Sequence, residues 1–197
     1  MTERRRFALL IGGLAALVAA LFAASLLIGP AALGLDESLA ALLRGDGDAA
    51  VLVMREIRLP RALLGLMIGA SLGLSGAVLQ GYLRNPLAEP GLIGAAPGAA
   101  LGAVLTIYTG LAATMPIASP VASLVGAAAA VMLVKAMAGG AGGALTLILA
   151  GVAVSSLASA LTALVLNLSS NPFAATEIVH WMMGSLADRS MLHVQIA

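Results

Sequence analysis

Apolar residues in this chain come in long uncharged runs, divided by short polar stretches that carry glycine, proline and charge. The first run, Phe7 to Ile28, stands behind Arg4-Arg5-Arg6. It exceeds the roughly 7–15 residues of a signal-peptide core, and further runs follow it. Despite the loose twin-arginine look of Arg4 to Phe7, it therefore reads as a retained first membrane helix with a cytoplasmic N-terminus.

From Pro30 to Arg61 the chain is polar and mixed, with Asp36, Glu37, Arg44, Asp46, Asp48, Arg55, Glu56 and Arg58. This predicts an outside segment with a short amphipathic helix near Ser38 to Leu43. The second span is predicted over Ala62 to Leu83, since Ala62 to Leu79 carries no charge and a helix of about 20 such residues crosses the ~30 Å hydrocarbon core. A third is predicted over Pro97 to Ala113, with Pro97 in the first helical turn and Met115-Pro116 turning the chain. The fourth covers Ile117 to Met137; after the flexible Gly139-Gly140-Ala141-Gly142-Gly143, the fifth covers Ala144 to Leu168. Asn171-Pro172 closes it, and Phe173 to Ala197 reads as a surface connection into the start of a sixth helix. The fold class is all-α, a polytopic transmembrane helical bundle with five complete spans.

Composition agrees with that pattern. Apolar residues make up 61% and charged residues only 10%, where a soluble domain carries about 25%. The mean hydropathy is +1.07. A transmembrane barrel is excluded by the missing two-residue alternation. The formal net charge is +1, with no basic run beyond Arg4-Arg5-Arg6, so nothing argues for nucleic acid. Cysteine is absent, which removes disulfides, thiolate metal sites and cysteine nucleophiles.

Enzyme chemistry finds no foothold. The only lysine is Lys135, in Val134-Lys135-Ala136, so the chain has no phosphate-binding P-loop and any ATP chemistry must come from a partner. No predicted span contains a carboxylate or histidine to relay protons. Glu177 and His180 stand three apart, a spacing that metal sites use only when several facing helices contribute; beside Trp181 they read as an ordinary interfacial pair. Met182 and Met183 read as packing rather than metal ligands.

Two packing patterns stand out. Small residues recur every fourth position at Gly65, Gly69, Gly73, Ala77 and Gly81, and again at Gly94, Gly98 and Gly102. Such ridges let membrane helices approach closely. In the fifth span Gly151, Ser155, Ser156, Ser159 and Thr162 share one sector at about 100° per residue, as interhelical glue or as the lining of a path. With the N-terminus inside, Arg44, Arg55, Arg58 and Arg61 fall outside, against the positive-inside bias. Arg58 and Arg61 would either snorkel to lipid phosphate or serve a function.

Arg58-Leu59-Pro60-Arg61, then Gly69-Ala70-Ser71-Leu72-Gly73-Leu74-Ser75-Gly76-Ala77-Val78-Leu79-Gln80, then Asn85-Pro86-Leu87-Ala88-Glu89-Pro90-Gly91-Leu92-Ile93-Gly94 resemble the FecCD family, permease subunits of binding-protein-dependent ABC importers for iron-siderophores, haem and vitamin B12. Leu149-Ala150-Gly151-Val152 and Trp181-Met182-Met183-Gly184-Ser185-Leu186 continue the resemblance in order. One departure is Pro97, where relatives often carry a small residue. The resemblance implies a single transmembrane permease domain over residues 1–197, the N-terminal part of a ten-helix permease ending before the cytoplasmic coupling segment.

It also implies roles. Arg58 and Arg61 would meet acidic residues of a periplasmic substrate-binding protein, for which forked guanidinium groups are suited. Ser155, Ser159 and Thr162 would line the translocation path, Gly142 and Gly143 would belong to the cytoplasmic gate, and Asn85, Pro86 and Glu89 would form a cytoplasmic turn. Implied partners are a second permease subunit, ABC ATPase subunits, the binding protein and membrane lipid; ATP and Mg would be bound by the ATPase, with no cofactor in this chain. The implied location is the bacterial inner membrane. Competing readings are a secondary transporter, whose intramembrane charges are not seen, and a non-transporting membrane scaffold, which leaves the external arginines unexplained.

Overall fold

The computed structural model describes residues 2–31, 33–43, 48–140, 143–169, 171–187 and 189–197. Among them all regular structure is helical: α1 (Glu3–Leu27), α2 (Leu35–Leu43), α3 (Ala49–Leu52), α4 (Leu59–Leu83), α5 (Ala95–Tyr108), α6 (Leu111–Thr114), α7 (Ala118–Ala138), α8 (Ala144–Leu168), α9 (Pro172–Met183) and α10 (Met191–Ile196). This is the physical consequence of apolar surroundings, in which every backbone group must be satisfied within its own segment. Glu3–Leu27, Ala49–Leu83, Ala118–Ala138 and Ala144–Leu168 are long and apolar enough to cross a membrane, so the chain is a polytopic helical protein as predicted.

Two predicted boundaries move. The second span does not begin after Pro60, because one helix runs without a break from Ala49 to Leu83, 35 residues in all. Proline inside a helix removes a donor and crowds the carbonyl four residues back. The chain accommodates it with a π-helical turn over Val53–Arg58, where the Leu59 N–H reaches back to the Met54 carbonyl. At about 1.5 Å per residue the whole helix is ~52 Å long, longer than the ~30 Å hydrocarbon core is thick, and its first turns, ahead of the apolar Ala62–Leu83 stretch, carry Arg55 and Arg58.

The third predicted span is shorter than the pattern suggested. α5 holds 14 residues and stops at Tyr108, because Gly110 takes a left-handed φ of 75° and the short α6 restarts from there. The predicted surface tail is also more ordered than expected. α9 occupies Pro172–Met183, with the Asn171 side chain accepting a hydrogen bond from the Phe173 N–H as N-cap.

The chain forms two compact units, Met1–Ala70 with Leu186–Ala197, and Ser71–Ser185. In the first, α2 packs against α3 and the π turn, burying Ser38, Ala41 and Met54. In the second, α5 lies against both α7 and α8. The contact is backbone to backbone: a Cβ on Gly98 would fall 2.6 Å from the Gly126 carbonyl oxygen, and one on Gly102 would overlap the Ala122 carbonyl. Gly151 of α8 sits equally close to the Leu92 carbonyl. Ala130, Val134, Ala150 and Val154 fill the α7–α8 seam, while Val104, Ile107 and Ile178 join α5 to α9. Thr106 adds a polar lock: its hydroxyl lies 2.8 Å from the Ser119 hydroxyl and donates to the Ala103 carbonyl.

Candidate functional site

Three places hold the residues singled out by sequence. The first is the junction of α1 with the π turn and α4. Helix ends leave carbonyls without partners; after the Ile28 N–H closes on the Ala24 carbonyl, the chain turns through Gly29-Pro30. Arg58 supplies the missing donors. Its Nη1 donates to the carbonyls of Leu26 and Leu27 at 3.1 and 3.0 Å, and its Nη2 to that of Ala31. The side chain is 6% exposed. A cation at a helix C-terminus is stabilising by about 0.3–1 kcal/mol, rising to ~2 when partly buried. Arg55 acts alike on α2, donating Nε and Nη2 to the Leu42 carbonyl at 3.2 and 2.7 Å.

Arg58 and Arg61 are thus near in sequence but unlike in state. Arg61 is exposed and borders a cavity of about 550 Å³ with Ile28, Gly29, Pro30, Ile57 and Arg58. It has no hydrogen-bond partner among the described residues. The sequence reading missed Arg55 as a cap and Gly29 as the residue that makes room for Arg58. The only signal was a Gly-Pro step directly after an apolar run.

The second place is the hydroxyl sector of α8, which the structure splits. Gly151 and Thr162 face the packed side with Val154 and Ala158, and the Thr162 hydroxyl donates to its own helix at the Ala158 carbonyl, 2.9 Å away. Ser155 is half-buried, its Oγ 3.5 Å from where a Gly94 Cβ would stand, and Ser159 is exposed. At about 100° per residue Ser155, Ser159 and Ser156 step progressively off the packed face. The open side of α8 therefore carries weak neutral donors and no charge.

The third place is the turn after α4. Asn85 Oδ1 accepts from the Leu87 N–H at 2.9 Å, and Gln80 Nε2 donates to the Pro86 carbonyl at 3.0 Å, so the loop is held by its own side chains. Arg84 has a left-handed φ of 48° and ends the helix, while Glu89 is exposed. Gly143, at the start of α8, lines a cavity of about 280 Å³ with Tyr82 and Leu83, which brings the end of α4 and the start of α8 together. Gly142 lies outside the described residues, as do Arg44, Asp46 and Asp188. Among the described residues no group of histidines and carboxylates is placed to hold a metal ion.

Comparison with known proteins gives these places a common frame. The achromobactin transport system permease protein of Dickeya dadantii is 38% identical over 177 residues, 88% of this chain and 50% of that protein. The cobalamin import system permease protein of Halobacterium salinarum is 40% identical over 144 residues, 72% of this chain and 38% of that one. The chain thus spans half or less of the length of these relatives. A solved structure described as the inward-facing conformation of a metal-chelate type ABC transporter superposes with a TM-score of 0.78 at 31% identity, over 94% of this chain and 56% of that one. Residues 17–197 match the FecCD transport family, and the chain belongs to that family.

Proposed function

We propose that this chain is part of the permease subunit of an ABC importer, passing a metal chelate such as an iron-siderophore, haem or cobalamin from a periplasmic binding protein across the bacterial inner membrane. ATP hydrolysis in partner subunits drives the step, with ATP and Mg held there, and two permease subunits enclose the path. The observation that carries this reading is the backbone likeness to the metal-chelate transporter across 94% of the chain. It is supported by the character of α8: a carrier that grips its cargo or couples to protons needs intramembrane charge, whereas α8 offers only neutral hydroxyl and amide groups.

In this reading the N-terminus is cytoplasmic and the π turn faces the periplasm. Arg61, exposed there, meets an acidic residue of the binding protein, where a rim charge steers docking. Ser155 and Ser159 line the path with Thr162 packed behind them. Gly142 and Gly143 flank the cytoplasmic gate beside the turn of Asn85, Pro86 and Glu89. Neutral walls suit a conduit that must release its cargo, since affinity resides in the binding protein.

The test is to tag the gene product at its native locus, extract it in mild detergent and identify what co-elutes. A Walker-motif ATPase in stoichiometric amount is the expected result. A chain that elutes alone under conditions that preserve other ABC transporters would overturn the reading.

A further inference from the structure

We propose that α1 carries a binding site for one anionic phospholipid: Arg4, with Arg5 and Arg6 beside it, holds the phosphate, and the apolar stripe running down α1 to Phe22 holds an acyl chain against α4. That the lipid belongs to the cytoplasmic leaflet rests on the topology of the importer reading; the site itself does not.

Arg4, Arg5 and Arg6 are all exposed, and among the described residues no hydrogen bond or ion pair engages their guanidinium groups. Their own helix gives them no support, since the N-terminal end of a helix dipole is positive and Glu3 is the one acidic residue of the first turn. Three unpaired forks suited to phosphate therefore stand together at one end of an uncharged run. From Arg5 to Leu27 the helix is about 33 Å long at 1.5 Å per residue, slightly more than the ~30 Å hydrocarbon core. With the Leu27 end at one face of the membrane, the arginines stand at headgroup depth on the other.

A groove leads away from them. α1 makes a substantial contact only with the π turn, and none of its described residues is buried. Beside Leu66 of α4 it borders a cavity of about 570 Å³ lined by Ile11, Leu14, Ala15, Val18 and Phe22. These positions follow the spacing of a single helix stripe, and at about 100° per residue Arg4, seven residues before Ile11, lies on the same stripe. From Ile11 to Phe22 the rise is about 16 Å, half the thickness of the core and so the reach of an acyl chain from one leaflet. A helix fits this groove less well. Membrane helices seat on small residues, whereas α1 lines the groove mainly with Ile, Leu, Val and Phe, and its Gly12 and Gly13 fall off the stripe with nothing within 4 Å.

The experiment uses the complete transporter, purified in detergent and titrated with phosphatidylglycerol or phosphatidylcholine while native mass spectrometry counts the lipid retained. Wild type is expected to hold phosphatidylglycerol about tenfold more tightly than phosphatidylcholine. A basic residue beside an anionic headgroup is worth about fivefold, so Arg4→Gln with Arg5→Gln should weaken phosphatidylglycerol about 25-fold and phosphatidylcholine far less. Ala15→Trp fills the groove and keeps every charge; it should weaken both lipids, whereas Ala16→Trp, off the stripe, should weaken neither. Labelling of Thr2→Cys from either side of the membrane, in a chain with no cysteine of its own, reports where the arginines stand.

Equal retention of the two lipids by wild type, or equal behaviour of Ala15→Trp and Ala16→Trp, would overturn the site. So would an Ala15→Trp variant that keeps its lipid and loses a co-purifying subunit, because the groove would then seat a helix. External labelling of Thr2→Cys with the lipid preference intact would keep the site and overturn the topology; cytoplasmic labelling without the preference would do the reverse. Removing arginines alters membrane insertion in some proteins, so Ala15→Trp, which retains all three, decides the outcome if the arginine variant does not insert.

Discussion

α4 and α5 present the same sequence pattern, a small residue at every fourth position, yet only α5 is packed on it. A Cβ added at Gly98 or Gly102 would run into the backbone of α7, whereas one added at Gly69, Gly73 or Gly81 meets nothing within 4 Å. At Gly65 the nearest atom is a Leu186 methyl at 3.8 Å, an ordinary contact. The difference is reciprocity. α7 answers the α5 ridge with Gly126, whose own missing Cβ lets the Gly98 carbonyl approach, and α8 answers the Leu92 carbonyl with Gly151. No described helix offers α4 a matching glycine. A small-residue ridge therefore says where a backbone is able to come close, and the partner's own small residue decides whether it does.

The largest expected effect tests that reciprocity from the partner's side. Gly151→Val places a branched side chain where the Leu92 carbonyl now lies, and a backbone atom in the turn before α5 yields less readily than a side chain would. The expected cost is about 3 kcal/mol or more, read as loss of the folded form in denaturant titration of the detergent-solubilised protein. If Gly151→Val is tolerated within about 1 kcal/mol, the α5–α8 approach does not have the closeness described and the contrast with α4 disappears.

A smaller effect is expected where α5 and α7 are joined by hydroxyls instead of glycines. Thr106 is 6% exposed and shares a hydrogen bond with Ser119 across the two helices. Thr106→Val keeps the shape and removes the hydroxyl that accepts from Ser119, and interhelical hydrogen bonds in membranes average only about 0.6 kcal/mol. Thr106→Val should therefore cost under ~1 kcal/mol, and Ser119→Ala added to it should cost almost nothing further. A double-mutant cycle with a coupling energy well above that would show the trio to be held by polar contacts more than by backbone approach.

Much of this was legible in sequence. α7 and α8 fall within about a residue of their predicted limits, because glycine and proline mark both ends of uncharged runs and nothing tertiary competes. The Asn85-Pro86 turn was legible for the same reason. What sequence could not give were features set by contacts from afar. Pro60 looks like a helix start, and only the π turn that absorbs it lets the helix continue from Ala49. α5 ends early through the left-handed Gly110, which reads as one more small residue in an apolar run. The hydroxyl sector of α8 was found, but its division into packed Thr162 and exposed Ser159 depends on where α5 and α7 lie. Arg58 and Arg61 look equivalent in a motif; they differ because α1 ends against one of them and not the other.

The smallest expected effect is the most direct test of the open ridge. Gly73→Leu adds a large apolar side chain at a position with no atom within 4 Å, so it has nothing in this chain to collide with. Hydrogen-exchange protection of the α5, α7 and α8 amides in the complete gene product should stay within about 0.5 kcal/mol of wild type, as for any substitution away from packed contacts. Loss of protection in α5 would mean that α4 leans on that trio, and that its ridge is a packed seam like the other. Unchanged protection together with loss of a co-eluting subunit would place the partner of α4 in that subunit.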